Sequence, residues 1–190
     1  YEDIRLSKLS QKDADNFVKM FLNGTNLLPE EIFNQIYEYS NGNSAYIEQV
    51  MVLFNENNAF YAENNTLKYK STSIEQNIPS NIYEILTIRL TYLQEKYPVV
   101  YKTLCTAAIM GNKFNVRLLE IIMKLKSEDF QKVIQMLTTF AYLAQFNNNI
   151  FEFKNTLLWK FVYERAKQSP DFVVLNEKIF DIINSFTLSS

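Results

Sequence analysis

A chain without histidine lacks the side chain that most readily moves a proton near neutral pH, and none occurs in these 190 residues. Ser-His-Asp and Cys-His catalysis and histidine-ligated zinc are thereby excluded. The one cysteine, Cys105, lies in the apolar stretch Leu104-Cys105-Thr106-Ala107-Ala108 and reads as a small buried residue. It forms no internal disulfide and no thiolate cluster. The carboxylates are scattered, and those at helix starts, such as Asp13, Glu30 and Glu31, are explained by the positive end of the helix dipole without any chemistry. None of the three glycines belongs to a phosphate loop or a Gly-x-Gly-x-x-Gly turn, so no complete nucleotide site is encoded. No catalytic residue and no metal ligand is assigned. Two polar corners remain. Gly42-Asn43-Ser44 offers a permissive turn followed by capping side chains, and Asn155 stands where a helix begins.

The elements that position these corners need a buried core. With 47% apolar, 15% aromatic and 21% charged residues the chain has ample material for one, which excludes disorder as the main description. A formal net charge of -2 gives no global positive field, so nucleic acid is not an expected partner. No apolar run approaches the roughly 20 residues that span a bilayer, so no membrane span is expected. One cysteine and no signal-like segment point to a reducing, cytoplasmic compartment. The lead-in Tyr1-Glu2-Asp3-Ile4-Arg5-Leu6 reads like a strand end or connector, which suggests a segment excised from a longer protein.

Helical periodicity dominates the first third. Ser10-Gln11-Lys12-Asp13 is a cap followed by the stripe Ala14, Phe17, Val18 and Phe21, ended by Gly24. Pro29 leads Ile32, Phe33, Ile36 and Tyr37, closed by Ser40-Asn41-Gly42. Asn43 or Ser44 then caps a helix carrying Ile47, Val50, Met51 and Phe54. Around Glu63-Asn64-Asn65 the aromatic patches Ala59-Phe60-Tyr61 and Leu67-Lys68-Tyr69 form a hairpin, because asparagine tolerates positive φ. The polar stretch Ser71 to Gln76 is placed on the surface, as a domain boundary.

Beyond Ile78-Pro79, Ser80 caps a helix with Ile82, Ile85, Leu86 and Leu93, and the next runs over Val99, Val100, Leu104, Ala107 and Ala108 to Gly111. Asn115 precedes Val116, Leu118, Leu119 and Ile122; Ser127 precedes Phe130, Val133, Ile134 and Leu137. The period then changes to two, with Tyr142 to Phe146 and Ile150 to Phe153 flanking Asn147-Asn148-Asn149 as a second hairpin. Helices resume over 155–167 and 170–186. The expected fold is mainly α: a small helical lid subdomain over 1–56, a hairpin and linker over 57–78, and a winged-helix-like domain over 79–190 with a short β-hairpin wing.

In order along the chain, several segments resemble the lid and winged-helix modules of signal-transduction ATPases with numerous domains, relatives of the AAA ATPases. Leu6-Ser7-Lys8-Leu9-Ser10 followed by Asp13-Ala14 is similar to the family's approach to the lid. Tyr39-Ser40-Asn41-Gly42-Asn43-Ser44-Ala45-Tyr46-Ile47-Glu48-Gln49-Val50 resembles its Ser-x-Gly-Asn-Pro-Leu-Phe-Leu-Glu-Glu-Leu. Ile78-Pro79 to Arg89-Leu90-Thr91-Tyr92-Leu93 resembles its Ile-Pro…Arg-Leu-Asp-x-Leu. Leu104 to Phe114 is similar to Leu-x-x-Ala-Ala-x-x-Gly-x-x-Phe, and Phe151 to Tyr163 to Phe-x-Phe-x-His-x-Leu-Leu…Tyr. The nearest likeness is to the regulatory ATPase-like region of soluble-type class III adenylate cyclases.

The resemblance implies a non-catalytic regulatory piece that closes over ATP or ADP bound by an upstream P-loop domain of the same chain, with helical repeats as a downstream partner. It implies two nucleotide-proximal places, and the chain departs from the family pattern at both. At Gly42-Asn43-Ser44, beside the adenine in the family, Ser44 replaces a proline and a stacking surface is lost. Asn155 replaces a histidine that reaches the phosphates, and a neutral amide bonds about half as strongly as a charged donor. Both places also read as plain helix caps. The lid helix after Gly42 carries no arginine, Glu48 and Gln49 standing on the face where the family would place one, and Arg89 reads as an ion pair on the winged-helix surface. Trp159, Phe161 and Tyr163 read as core or interface.

Two other functions compete. A protein-interaction module would use aromatic helix faces such as Phe172, Phe180 and Phe186. Winged-helix DNA binding is disfavoured: the recognition helix, Glu128 to Thr139, has Lys132 as its one cation beside Glu128 and Asp129, and the wing, Gln145 to Phe151, has no Lys or Arg.

Overall fold

The computed structural model describes residues 8–187, and side chains as far as residue 185. Leu6 and Ser7 of the family-like lead-in, and the Phe186 side chain, lie outside them. The fold is mainly helical with a few short antiparallel strands, and the chain divides between Arg89 and Leu90 into two compact units. Among the described residues no helix is long and apolar enough to cross a membrane.

The first unit is organised around one helix that is apolar nearly all round. Helix α1 (Gln11–Phe21) starts at Ser10, whose hydroxyl accepts the Asp13 N–H at 3.2 Å. It stops where Asn23 and Gly24 take positive φ. Helix α2 (Glu30–Ser40) begins after Pro29 with Glu30 and Glu31 in its first turn and ends at left-handed Asn41. Helix α3 (Ser44–Glu56) buries Tyr46, Ile47, Gln49 and all of Val50 to Phe54, and α1 and α2 cover it with Ala14, Val18 and Ile36. A helix with this pattern has no solvent face to give away.

Strands β1 (Phe60–Glu63) and β2 (Thr66–Tyr69) form an antiparallel hairpin with Phe60 opposite Tyr69 and Glu63 opposite Thr66. Asn64 and Asn65 turn it with φ of 51° and 59°, the paired positive values of a type I′ turn. Phe60 is the strand residue that enters the core, 6.5 Å from the Phe54 ring. After a 3-10 turn over Glu75–Asn77 comes helix α4 (Ile82–Lys96). Its cap is Asn81, which accepts the Tyr83 and Glu84 N–H groups at 3.1 Å, and not Ser80, whose own N–H donates to Glu84 instead. Ile74, Ile78, Ile82 and Ile85 join the core of the first unit, so the hydrophobic stripe at the start of α4 belongs with α3 rather than with the helices after it.

The second unit centres on α5 (Pro98–Met110), with Pro98 in its first turn and Thr103 to Ala108 buried. Strand β3 (Lys113–Asn115), α6 (Val116–Met123), α7 (Ser127–Thr139), β4 (Leu143–Gln145) and β5 (Ile150–Phe153) follow, the three strands ordered β3-β5-β4 and antiparallel. Phe114 pairs with Phe151, and Leu143 with Phe153. Asn115 caps α6 as its sequence position suggests. Ser127 does not cap α7: it is the first helical residue, and Lys126 precedes it without a side-chain bond. Helices α8 (Thr156–Lys167) and α9 (Phe172–Thr187) close the unit, α8 against α5, where the Trp159 indole donates to the Ala108 carbonyl at 2.9 Å.

Candidate functional site

The corner between α2 and α3 is built from backbone outward. Ser40, buried at the last turn of α2, donates to the Tyr37 carbonyl at 2.7 Å and accepts the Gly42 N–H at 3.0 Å. Asn41 and Gly42 then reverse the chain with φ of 47° and 75°. At Gly42 the positive φ coincides with crowding, since a Cβ there would lie 2.7 Å from the Leu9 carbonyl oxygen. That approach is fixed by a hydrogen bond from the Leu9 N–H to the Gly42 carbonyl, 2.8 Å, and by the Tyr37 hydroxyl donating to the Leu9 carbonyl. Only glycine satisfies both conditions.

Asn43 then caps α3, its side-chain oxygen accepting the Ala45 N–H at 2.9 Å and the Tyr46 N–H at 3.4 Å. Ser44 is the first helical residue and is exposed. Of the two capping candidates in the sequence, Asn43 is the one used. One turn on, buried Tyr46 donates to the Pro79 carbonyl at 2.6 Å, and burial raises its phenol well above the ordinary range. The result is a rigid corner that opens on a hollow of about 440 Å³ lined by Lys8 and residues 40–45. Lys8 is the charged residue of that lining, and α3 carries no acid in its first turn. The hollow therefore presents one cation and no carboxylate beside a helix start whose Ala45 and Tyr46 N–H groups are already taken by the Asn43 cap, so what favours an anionic group here is Lys8 and the helix dipole.

No protein-family model and no curated protein matches the chain.

Asn155 belongs to the second unit. Its side-chain oxygen accepts the Leu158 N–H at 2.8 Å and starts α8, so the acceptor half of the amide is engaged in capping. Lys154 beside it is exposed while Phe153 is buried, the alternation expected of a strand end. Gly42, Asn43 and Ser44 thus share one corner, and Asn155 is a separate helix start.

Arg89 is an ion pair, but a buried one in the first unit and not a surface one on the second. Its side chain is fully enclosed; Nε and the Nη2 amine donate to the Glu56 carboxylate at 2.9–3.1 Å, and Nη1 donates to the Gln49 side-chain oxygen. Gln49, on the face of α3 where the family pattern would place an arginine, is buried and serves this clasp. Sequence reasoning missed Glu56 as its partner. The available signal was the seven-residue spacing of Gln49 and Glu56, two turns along one face of α3. Lys8 had no signal: it reaches the corner because its neighbour Leu9 is bonded to the Gly42 carbonyl and to the Tyr37 hydroxyl.

The remaining chemistry-bearing groups are quiet. Cys105 is buried and its thiol pushed up to about 11 by that burial, so it is a neutral core residue at physiological pH. Among the described residues no group of His, Cys, Asp and Glu could hold a metal ion. The recognition-helix candidate Lys132 faces Asp129 at 3.6 Å. At the wing, Lys113 comes from β3, pairs with Glu152 at 2.8 Å and lies 3.6 Å from the Phe146 ring. Of the aromatic candidates for an interface, Phe172 packs edge-on against Tyr163, whereas Phe180 on α9 is 65% exposed.

Proposed function

We propose that this chain is the regulatory lid and winged-helix portion of a nucleotide-binding signalling ATPase, of the kind joined to soluble-type class III adenylate cyclases. In this role it closes over ATP or ADP held by an upstream P-loop domain and performs no catalysis itself. The observation that carries the reading is the Gly42 corner: a glycine-dependent turn delivers the start of α3 and Lys8 to one open hollow, with no acid to repel a nucleotide. The second unit is compatible with this reading, because its order of helix, strand, two helices and hairpin, with β3 paired to β5, resembles that of a winged helix. In this reading Ser44 and Asn155 weaken the hold on the nucleotide, since neither a stacking ring nor a charged donor is supplied.

The test joins these residues to the P-loop half and measures ATP and ADP affinity with and without residues 1–190. Loss of affinity on removal is expected; unchanged affinity would overturn the lid role. A second reading, a protein-interaction module, is favoured by the exposed Val173, Val174 and Phe180 of α9. Light-scattering mass of the chain with its flanking domains separates the two, since an interaction module changes mass with its partner and a lid does not.

A further inference from the structure

We infer that the second unit carries a binding site for a small aromatic carboxylate, in the seam between α5, α8 and the start of α9, with the ring in an apolar cavity and the carboxylate on Arg165. The seam encloses about 200 Å³ and is walled by Tyr101, Cys105 and Ile109 from α5, Arg165 from α8, and Phe172 and Leu175 from α9. A dry protein cavity of about 150 Å³ accommodates benzene, so this volume fits one ring with a small polar head and excludes a nucleotide or a long acyl chain.

The head is specified by charge. Arg165 is half-buried, lies 6.0 Å from the Phe161 ring and forms no ion pair among the described residues; its neighbour Glu164 is engaged by Lys167 at 3.1 Å. At the rim Lys102 adds a second cation and Asp171 a single carboxylate, so positive charge is in excess where a head group would sit. An arginine fork matches a carboxylate with two parallel donors. Burial raises the Tyr101 hydroxyl to about 12 and the Cys105 thiol to about 11, which keeps the inner wall free of negative charge at neutral pH. Pockets of this make-up, apolar walls with one convergent charged group, are the usual form of small-ligand sites. The inference does not rest on the nucleotide-lid reading.

The test titrates the 190-residue chain with benzoate and, in parallel, with the neutral isostere benzamide, following the methyl resonances of Ile109 and Leu175. Saturable shifts with benzoate are expected, with a Kd of about 1 mM. Benzamide binds at least about tenfold more weakly, and Arg165→Met, at a half-exposed position that tolerates the change, weakens benzoate by a similar factor. Leu175→Phe, which fills the cavity and spares Arg165, abolishes binding of both probes. Absence of saturation by about 10 mM benzoate, equal affinity for the two probes, or full affinity in Arg165→Met would each overturn the assignment.

Discussion

Helices α3 and α5 occupy the same place in their respective units, each central and nearly enclosed, yet they are held in opposite ways. The polar ties of α3 reach far along the chain: Tyr46 to the Pro79 carbonyl, Gln49 and Glu56 to Arg89. Those of α5 are mostly local, Thr103 and Thr106 each donating to the carbonyl four residues back in the same helix. A long-range buried ion pair contributes little when intact, because desolvation offsets attraction, but it penalises every arrangement that breaks it. Local hydroxyl bonds fix nothing beyond their own turn. On top of its apolar core the first unit therefore carries a buried charged clasp on its central helix, whereas the long-range polar tie to α5 is a neutral one, from the Trp159 indole to the Ala108 carbonyl.

The largest expected effect breaks that contrast at its centre. Glu56→Ala leaves the Arg89 guanidinium buried beside Gln49 without its counter-charge and should cost about 3–5 kcal/mol in denaturant unfolding. Replacing both partners with apolar residues, Arg89→Met with Glu56→Leu, should recover most of it. The matched change in α5, Thr103→Val, should cost less than about 1 kcal/mol, because a self-contained hydroxyl bond is exchanged for a methyl group. Equal losses at the two helices would dissolve the distinction. Next in size is Gly42→Ala, which combines positive φ with a Cβ 2.7 Å from backbone and should cost about 1–3 kcal/mol, read as a shift of the denaturation midpoint.

What the sequence disclosed follows from the range over which each feature is decided. The helices with stripes such as Ile47, Val50, Met51 and Phe54 were legible because their period is local, and so was the Asn64-Asn65 turn, whose backbone preference is intrinsic. Strand β3 was not: Lys113-Phe114-Asn115 is too short to show alternation and exists through pairing with Glu152, Phe151 and Ile150, nearly forty residues on. Arg89 was misplaced for the same reason. A guanidinium in an amphipathic stripe reads as solvent-facing until Glu56, 33 residues earlier, is known to lie beneath it. At the candidate site Gly42 and Asn43 were readable as stop and start, whereas Lys8 enters the hollow through a backbone contact that leaves no trace in residue type.

A smaller perturbation sharpens the comparison at the two corners. Asn155→Ala should cost about 1 kcal/mol through loss of the α8 cap, and Asn155→Asp, which keeps an acceptor for the Leu158 N–H, should cost a fraction of that. Because the residue lies in the second unit, thermal unfolding followed by Trp159 fluorescence should report the loss.

The smallest effect is an acid-sensitive one confined to the first unit. Burial alone would raise the Glu75 carboxyl, but the Tyr69 hydroxyl facing it, the Ser71 hydroxyl at 2.7 Å and the Thr72 N–H at 2.7 Å outweigh that and hold its pKa below the ordinary value. The folded form thus prefers the ionised group, so its contribution is complete above the unfolded pKa and is lost as pH falls through the lowered one. Stability measured from pH 6 downward should therefore decline slightly less steeply in Glu75→Gln, which has no proton to take up there, while its stability at pH 6 is a little lower. An unchanged acid limb would place the tie between the hairpin and the 3-10 turn in the apolar contacts of Phe60, Tyr69 and Ile74 alone, and would bring this edge of the first unit closer to the way the second is held.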